Sequence, residues 1–207
     1  MSRPTIAVTS LVSVLCFTPM ASTTAQGIRA HFGVGGGVTV PTGSYGDSLG
    51  FTNGWQAMAL VDLTLPRSPI GVRVDGTYGV NNTNNTSTNH VQTKLVGGSV
   101  DLTYELPGST SVKPYLLTGA GLYRVRAFTT GGGSGPDTSA TKLSWNLGGG
   151  VRYAVRRASL FLEARYSSVG RLLNASSYYS PSRGLYQQPS VQVTQVGVTV
   201  GVRLGGE

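Results

Sequence analysis

Charge is scarce in this chain, cysteine almost absent and long apolar runs missing, and each shortage excludes a class of protein. Only 12% of the 207 residues are charged, about half the share found in ordinary soluble domains. Lysine and glutamate, the usual covering of a solvated surface, are few. No stretch reaches the ~20 apolar residues that a spanning helix needs, so a helical membrane protein is excluded. Cys16 is the only cysteine, so neither a disulfide framework nor a cysteine-based metal site is available.

Glycine is abundant instead, at thirty residues, and the net charge is +8. The N-terminus carries Arg3, a mostly apolar run over 6–17 and small residues up to Ala25. That order reads as a secretory signal peptide over 1–25, cleaved after Ala25. Cys16 would leave with it. The mature chain, 26–207, is then expected to form one domain.

After Gln26 apolar and polar residues alternate in eight segments, near 27–40, 54–65, 70–80, 93–106, 113–126, 142–155, 159–168 and 191–204. In the second, Trp55, Ala57, Ala59, Val61 and Leu63 oppose Gln56, Asp62 and Thr64. The fifth is the least regular: Tyr115, Leu117, Tyr123 and Val125 are assigned to the apolar face, Arg124 and Arg126 to the other. A two-residue period with one apolar side is a strand signal. The connections alternate between long Asn-, Thr-, Ser-, Gly- and Pro-rich loops, near 41–53, 81–92, 127–141 and 169–190, and short turns near 66–69, 107–112 and 156–158. Short turns at one end and long loops at the other predict an all-β fold: an eight-stranded antiparallel up-and-down transmembrane β-barrel.

A soluble barrel would turn the same apolar faces inward, so the lipid side must be argued separately. Aromatics on the apolar parity fall at strand ends: Trp55, Tyr78, Tyr123, Trp145 and Tyr166 beside the long loops, Tyr104, Tyr115 and Tyr153 beside the short turns. Two such belts mark the two interfaces of a membrane. From Trp145 to Tyr153, about eight residues of tilted strand cover roughly 20 Å, close to the apolar band of such barrels. The polar parity holds many glycines, which suit a narrow lumen filled by side chains. It also holds Asp62, Asp75, Asp101, Glu105 and Glu163 together with Arg29, Arg73, Arg124, Arg126, Arg152, Arg165 and Arg203. Enclosed charges must be paired, so these predict an internal Arg–carboxylate network. Most of the positive balance is thereby structural, and a nucleic-acid role falls away.

Two segments carry a family resemblance: Lys113-Pro114-Tyr115-Leu116-Leu117-Thr118-Gly119-Ala120-Gly121-Leu122-Tyr123 and Asn146-Leu147-Gly148-Gly149-Gly150-Val151-Arg152-Tyr153. They resemble the Pro-Tyr plus Gly-x-Gly strand and the glycine-rich sixth strand of the small outer-membrane β-barrel family, which includes the OmpA transmembrane domain, OmpX and the opacity-type proteins. The resemblance implies a bacterial outer-membrane location with termini in the periplasm. It also implies contact with outer-membrane lipid and lipopolysaccharide, and delivery by the barrel assembly machinery. The C-terminal residues Arg203-Leu204-Gly205-Gly206-Glu207 depart from the aromatic ending usual in the family.

Signs of chemistry are sparse. His31 shares the inward parity, and His90 sits at the end of an Asn/Thr loop. Neither belongs to the His-x-Ser pair of barrel lipid A deacylases, and no nucleophile lies beside an oriented base. Asp47 and Asp137 are single loop carboxylates, too few for paired acid–base work. Metal spacing is missing. No catalytic, cofactor or metal site is expected. The fourth long loop carries Arg171, Tyr178, Tyr179, Arg183 and Tyr186, residue types enriched at binding hot spots. The expected function is therefore a structural or surface-interaction (adhesin-like) role, with an extracellular ligand at that loop. A narrow porin-like channel is the alternative, and a lipid-modifying barrel enzyme the third reading.

Overall fold

The computed structural model describes residues 28–43, 52–82, 90–109, 111–130, 138–173, 176–180, 184–188 and 191–205. The expected signal segment, together with Asp47, Asp137 and Arg183, lies outside the described residues.

Among the described residues ten strands are formed: β1 (Arg29–Thr42), β2 (Gly54–Thr64), β3 (Ile70–Asn82), β4 (His90–Glu105), β5 (Val112–Thr130), β6 (Thr138–Val155), β7 (Ala158–Leu173), β8 (Ser176–Ser180), β9 (Gly184–Gln188) and β10 (Val191–Leu204). Eight of them close into a barrel in the order β1-β10-β7-β6-β5-β4-β3-β2. Every neighbouring pair is antiparallel, and β10 returns to β1 with Val198 opposite Val38 and Val202 opposite Val34. Closure leaves no unpaired edge, the condition for strands to cross a layer that offers no hydrogen bonds. β8 and β9 form a separate hairpin between β7 and β10, with Tyr178 and Tyr186 as partners in register.

Several strands outrun the alternation that announces them. β5 continues to Thr130, β6 begins at Thr138 and β7 reaches Leu173, all inside segments expected to be loops. The β8–β9 hairpin likewise lies within the expected fourth loop. Beyond the apolar band a strand needs no apolar face, so the ladder continues while the sequence signal fades. At the opposite end the turns are tight. Arg67 and Arg156 take positive φ values of 62° and 52° there.

The two faces are the reverse of a water-soluble protein. Leu147, Leu162 and Val200 are 56%, 51% and 61% exposed on the outside, while Asp62 and Arg73 are each 1% exposed. Inside, Phe161 packs with Met58 and Leu60. Its ring lies where a Cβ on Gly35 or Gly201 would stand, so those glycines make its room. A second apolar cluster, Leu95, Tyr123, Val125, Val169 and Val193, fills the lumen towards the long loops.

On β5 the expected faces are inverted. Tyr115, Leu117, Tyr123 and Val125 point into the lumen, 1–3% exposed, and Arg124 and Arg126 lie on the exposed outer face. Tyr115 and Tyr123 therefore do not belong to the aromatic belts, nor Arg124 and Arg126 to the internal network. The cause is that β5 is apolar on both parities, with Leu116, Ala120 and Leu122 outside. What decides the face is room: a Cβ on Gly119 would collide with Asp101, and one on Gly121 would press on Ser99 at 2.8 Å.

Candidate functional site

The charged residues on β2, β3, β4, β6, β7 and β10 meet inside the barrel because alternation sends each to the same side. Arg73 on β3 is the centre. Its Nε donates to Asp62 Oδ1 at 2.7 Å, and its Nη1 forms an ion pair with Glu163 of β7. Asp62 also accepts from Arg203 Nη1 at 3.0 Å and lies 3.5 Å from Arg152 Nη2. Three guanidinium groups thus share one carboxylate.

A second group sits beside it. Arg165 Nη1 lies 2.9 Å from Asp75 and 3.2 Å from Asp101, and its Nη2 lies 2.9 Å from Glu163. Ser99 Oγ is 3.0 Å from both Asp75 and Asp101, and Asn146 Nδ2 donates to Asp101 at 3.3 Å. Glu163 therefore joins the two halves. Arg73, Arg152, Arg165 and Arg203 balance Asp62, Asp75, Asp101 and Glu163, so the enclosed layer is close to neutral. That balance is what a medium of low polarity demands of enclosed charge, and the forked guanidinium suits the two-oxygen contacts.

Tyr115 completes the layer. Its hydroxyl donates to Glu163 Oε2 at 2.7 Å, and its ring lies 4.1 Å from the Arg152 guanidinium and 5.3 Å from that of Arg73. Sequence alternation missed this residue as part of the network. The neighbouring glycines, which sit on inward parities elsewhere in the chain, were the available signal.

Two charged residues sit apart from the buried layer. Glu105 is partly exposed and pairs with Lys113 at 2.9 Å, with Arg152 at 3.4 Å beneath it. Arg29 has inward parity but is exposed at the mouth, outside the enclosed network, because β1 begins there. Around this mouth the lumen widens into a vestibule of about 1230 Å³ that opens between the short turns, with His31, Arg152 and Arg203 in its wall. Above the charged layer, Met58, Tyr123 and Arg165 bound a void of about 20 Å³. The layer of Arg73, Asp62, Glu163, Arg152 and Tyr115 separates the two.

Outside, Trp55 and Tyr78 pack at 5.5 Å between ring centroids, and Trp145 and Tyr166 at 5.3 Å. These four stand towards the long loops, while Tyr104 and Tyr153 stand exposed towards the short turns. The side chains of Arg171, Tyr178, Tyr179, Tyr186 and His90 lie outside the described residues, although the backbone of those positions is strand. Among the described residues no group of three or more His, Cys, Asp and Glu could hold a metal ion.

No curated protein sequence matches the chain. Among solved structures, the neisserial surface protein A shares 17% identity at a TM-score of 0.54, covering 86% of this chain and 96% of that one. A major outer membrane protein of Thermus thermophilus shares 14% identity at a TM-score of 0.55, covering 86% of this chain and 98% of the other. At such identities the likeness speaks for the fold alone. The family model described as the outer membrane protein beta-barrel domain matches residues 8–203. With an apolar exterior, a charge-paired lumen and a match over nearly its whole length, the chain belongs to the outer membrane protein beta-barrel domain family and is a small barrel of the bacterial outer membrane.

Proposed function

We propose that this barrel is a non-catalytic platform that holds its fourth long loop at the cell surface for contact with an extracellular ligand. The signal peptide over 1–25 directs export, both strand termini of the barrel face the periplasm, and the long loops face outward. The observation that carries the reading is the contrast between the two ends. One end has tight turns, whereas at the other β7 and β10 are joined through the added β8–β9 hairpin, with Tyr178 and Tyr186 in register. Tyrosine and arginine suit such a surface because they contribute large contact areas with a polar end.

The lumen supports a structural rather than a conducting role, since arginine–carboxylate pairs and Phe161 occupy it. In planar bilayers the expected result is no steady conductance, and a stable open level would favour the channel. For the contact itself, the experiment is binding of whole cells to host-type or matrix surfaces. Alanine at Tyr178, Tyr179 and Tyr186 together should abolish it while leaving the heat-dependent gel shift of the folded barrel unchanged. Attachment that persists undiminished in that variant removes the loop from the proposal. Lipid analysis of a deletion strain is expected to show unaltered acyl chains, which tests the non-catalytic part.

A further inference from the structure

We infer that the vestibule at the short-turn end is a binding site for a phosphate group. Its wall carries Arg29, Arg67, Lys113, Arg152 and Arg203 against one carboxylate, Glu105. Just beneath, Arg152 and Arg203 share Asp62 with Arg73 and belong to the balanced layer, so the excess positive charge of the wall is that of Arg29, Arg67 and Lys113 over Glu105. A cavity of about 1230 Å³ with cations on its rim and floor concentrates anions, because low-dielectric walls focus the field.

Two buried nitrogens point to a ligand rather than to diffuse counter-ions. His31 is 8% exposed and its Nδ1 has no hydrogen-bond partner among the described residues. Arg152 is 3% exposed, and its Nε is likewise unmatched although Nη1 and Nη2 reach Glu105 and Asp62. Enclosed polar atoms of this kind ordinarily find a partner. Both residues line the vestibule. They arrive from different walls, His31 from β1 and Arg152 from β6, and Arg203 comes from β10. Two guanidinium groups and an imidazole converging from three sides suit a tetrahedral oxyanion better than a planar carboxylate, and the charge-assisted bonds from Arg152 and Arg203 would be the strong ones.

The site is independent of the surface role, because it lies at the opposite end of the barrel. Its phosphate could be carried by a soluble ester or by a phospholipid headgroup at the rim, and the two are separable. The test is titration of the folded protein, in nanodiscs of phosphatidylcholine, with glycerol 3-phosphate and with acetate by calorimetry. Saturable binding of the phosphate ester, at least about tenfold tighter than acetate, is expected. The double variant Arg29→Gln/His31→Gln spares the buried pairs and should weaken binding by about tenfold. The single variant Arg67→Gln, in an exposed turn, gives a second readout if the first fails to fold. Replacing part of the lipid by phosphatidylglycerol distinguishes the sources: competition assigns the phosphate to a headgroup, and unchanged affinity assigns it to a solute. Absence of saturable binding, equal binding of acetate, or full affinity in the folded variants would overturn the site.

Discussion

Asp62 and Arg73 are joined twice. They are Cα partners in the β2–β3 ladder, and Arg73 Nε donates to Asp62 Oδ1 at 2.7 Å. The same guanidinium reaches Glu163 on β7, so one side chain ties adjacent strands to a distant strand across the lumen. The pair converts a strand ladder into a braced tube.

Removing one member of this layer leaves charges enclosed without a partner. Arg73→Leu should destabilise the barrel by ~3–5 kcal/mol, the usual cost of breaking a buried pair. Urea unfolding from vesicles, followed by tryptophan emission, measures it. An unchanged midpoint would show that water, not Arg73, neutralises Asp62 and Glu163.

The inverted faces of β5 yield a sharp contrast between neighbours. A fluorophore on cysteine introduced at Leu116→Cys or Leu122→Cys should be quenched by brominated lipids, while Leu117→Cys should resist labelling in the folded state. Tyr115→Phe should cost about 1–3 kcal/mol through the acceptor it leaves on Glu163. Quenching at 117 rather than 116 would return Tyr115 to the lipid side.

Only two tryptophans are present, and both stand on the outer face beside a tyrosine. Their emission should be quenched most by bromines placed near the lipid headgroups and least by bromines at the chain ends. Strong quenching by chain-end bromines would move Trp55 and Trp145 to the bilayer centre and break the belt.

Arg156 holds a φ of 52° in the two-residue turn between β6 and β7. A side chain in that region is strained where glycine is not. Arg156→Gly is therefore expected to raise stability by roughly 0.5–1 kcal/mol, read from the same urea curves. A lower midpoint would mean that the Arg156 side chain contributes contacts of its own.

Most of the barrel was legible because one face of each strand meets hydrocarbon. Leu63 beside Asp62, Val72 and Val74 around Arg73, and Leu162 beside Glu163 each set their strand's phase unambiguously. β5 failed for a physical reason: Leu116 and Leu122 outside match Leu117 and Val125 inside, so hydrophobicity carries no phase there. Gly119 and Gly121 did carry it, through the space that Asp101 and Ser99 require. Arg29 failed differently, since its parity was right and its depth was not. The β8–β9 hairpin was invisible because a strand outside the apolar band has no reason to alternate.

The number of strands in the barrel, the alternation of turn and loop lengths, and the sidedness of seven of those strands followed from the chain alone, since a period of two needs no knowledge of neighbours. The register of β5, the sharing of Asp62 among three arginines and the vestibule around His31 and Arg152 came only with closure. Those features join residues from strands far apart in the chain. The pairing of enclosed charges depends on which walls face each other, and no single strand's pattern contains that.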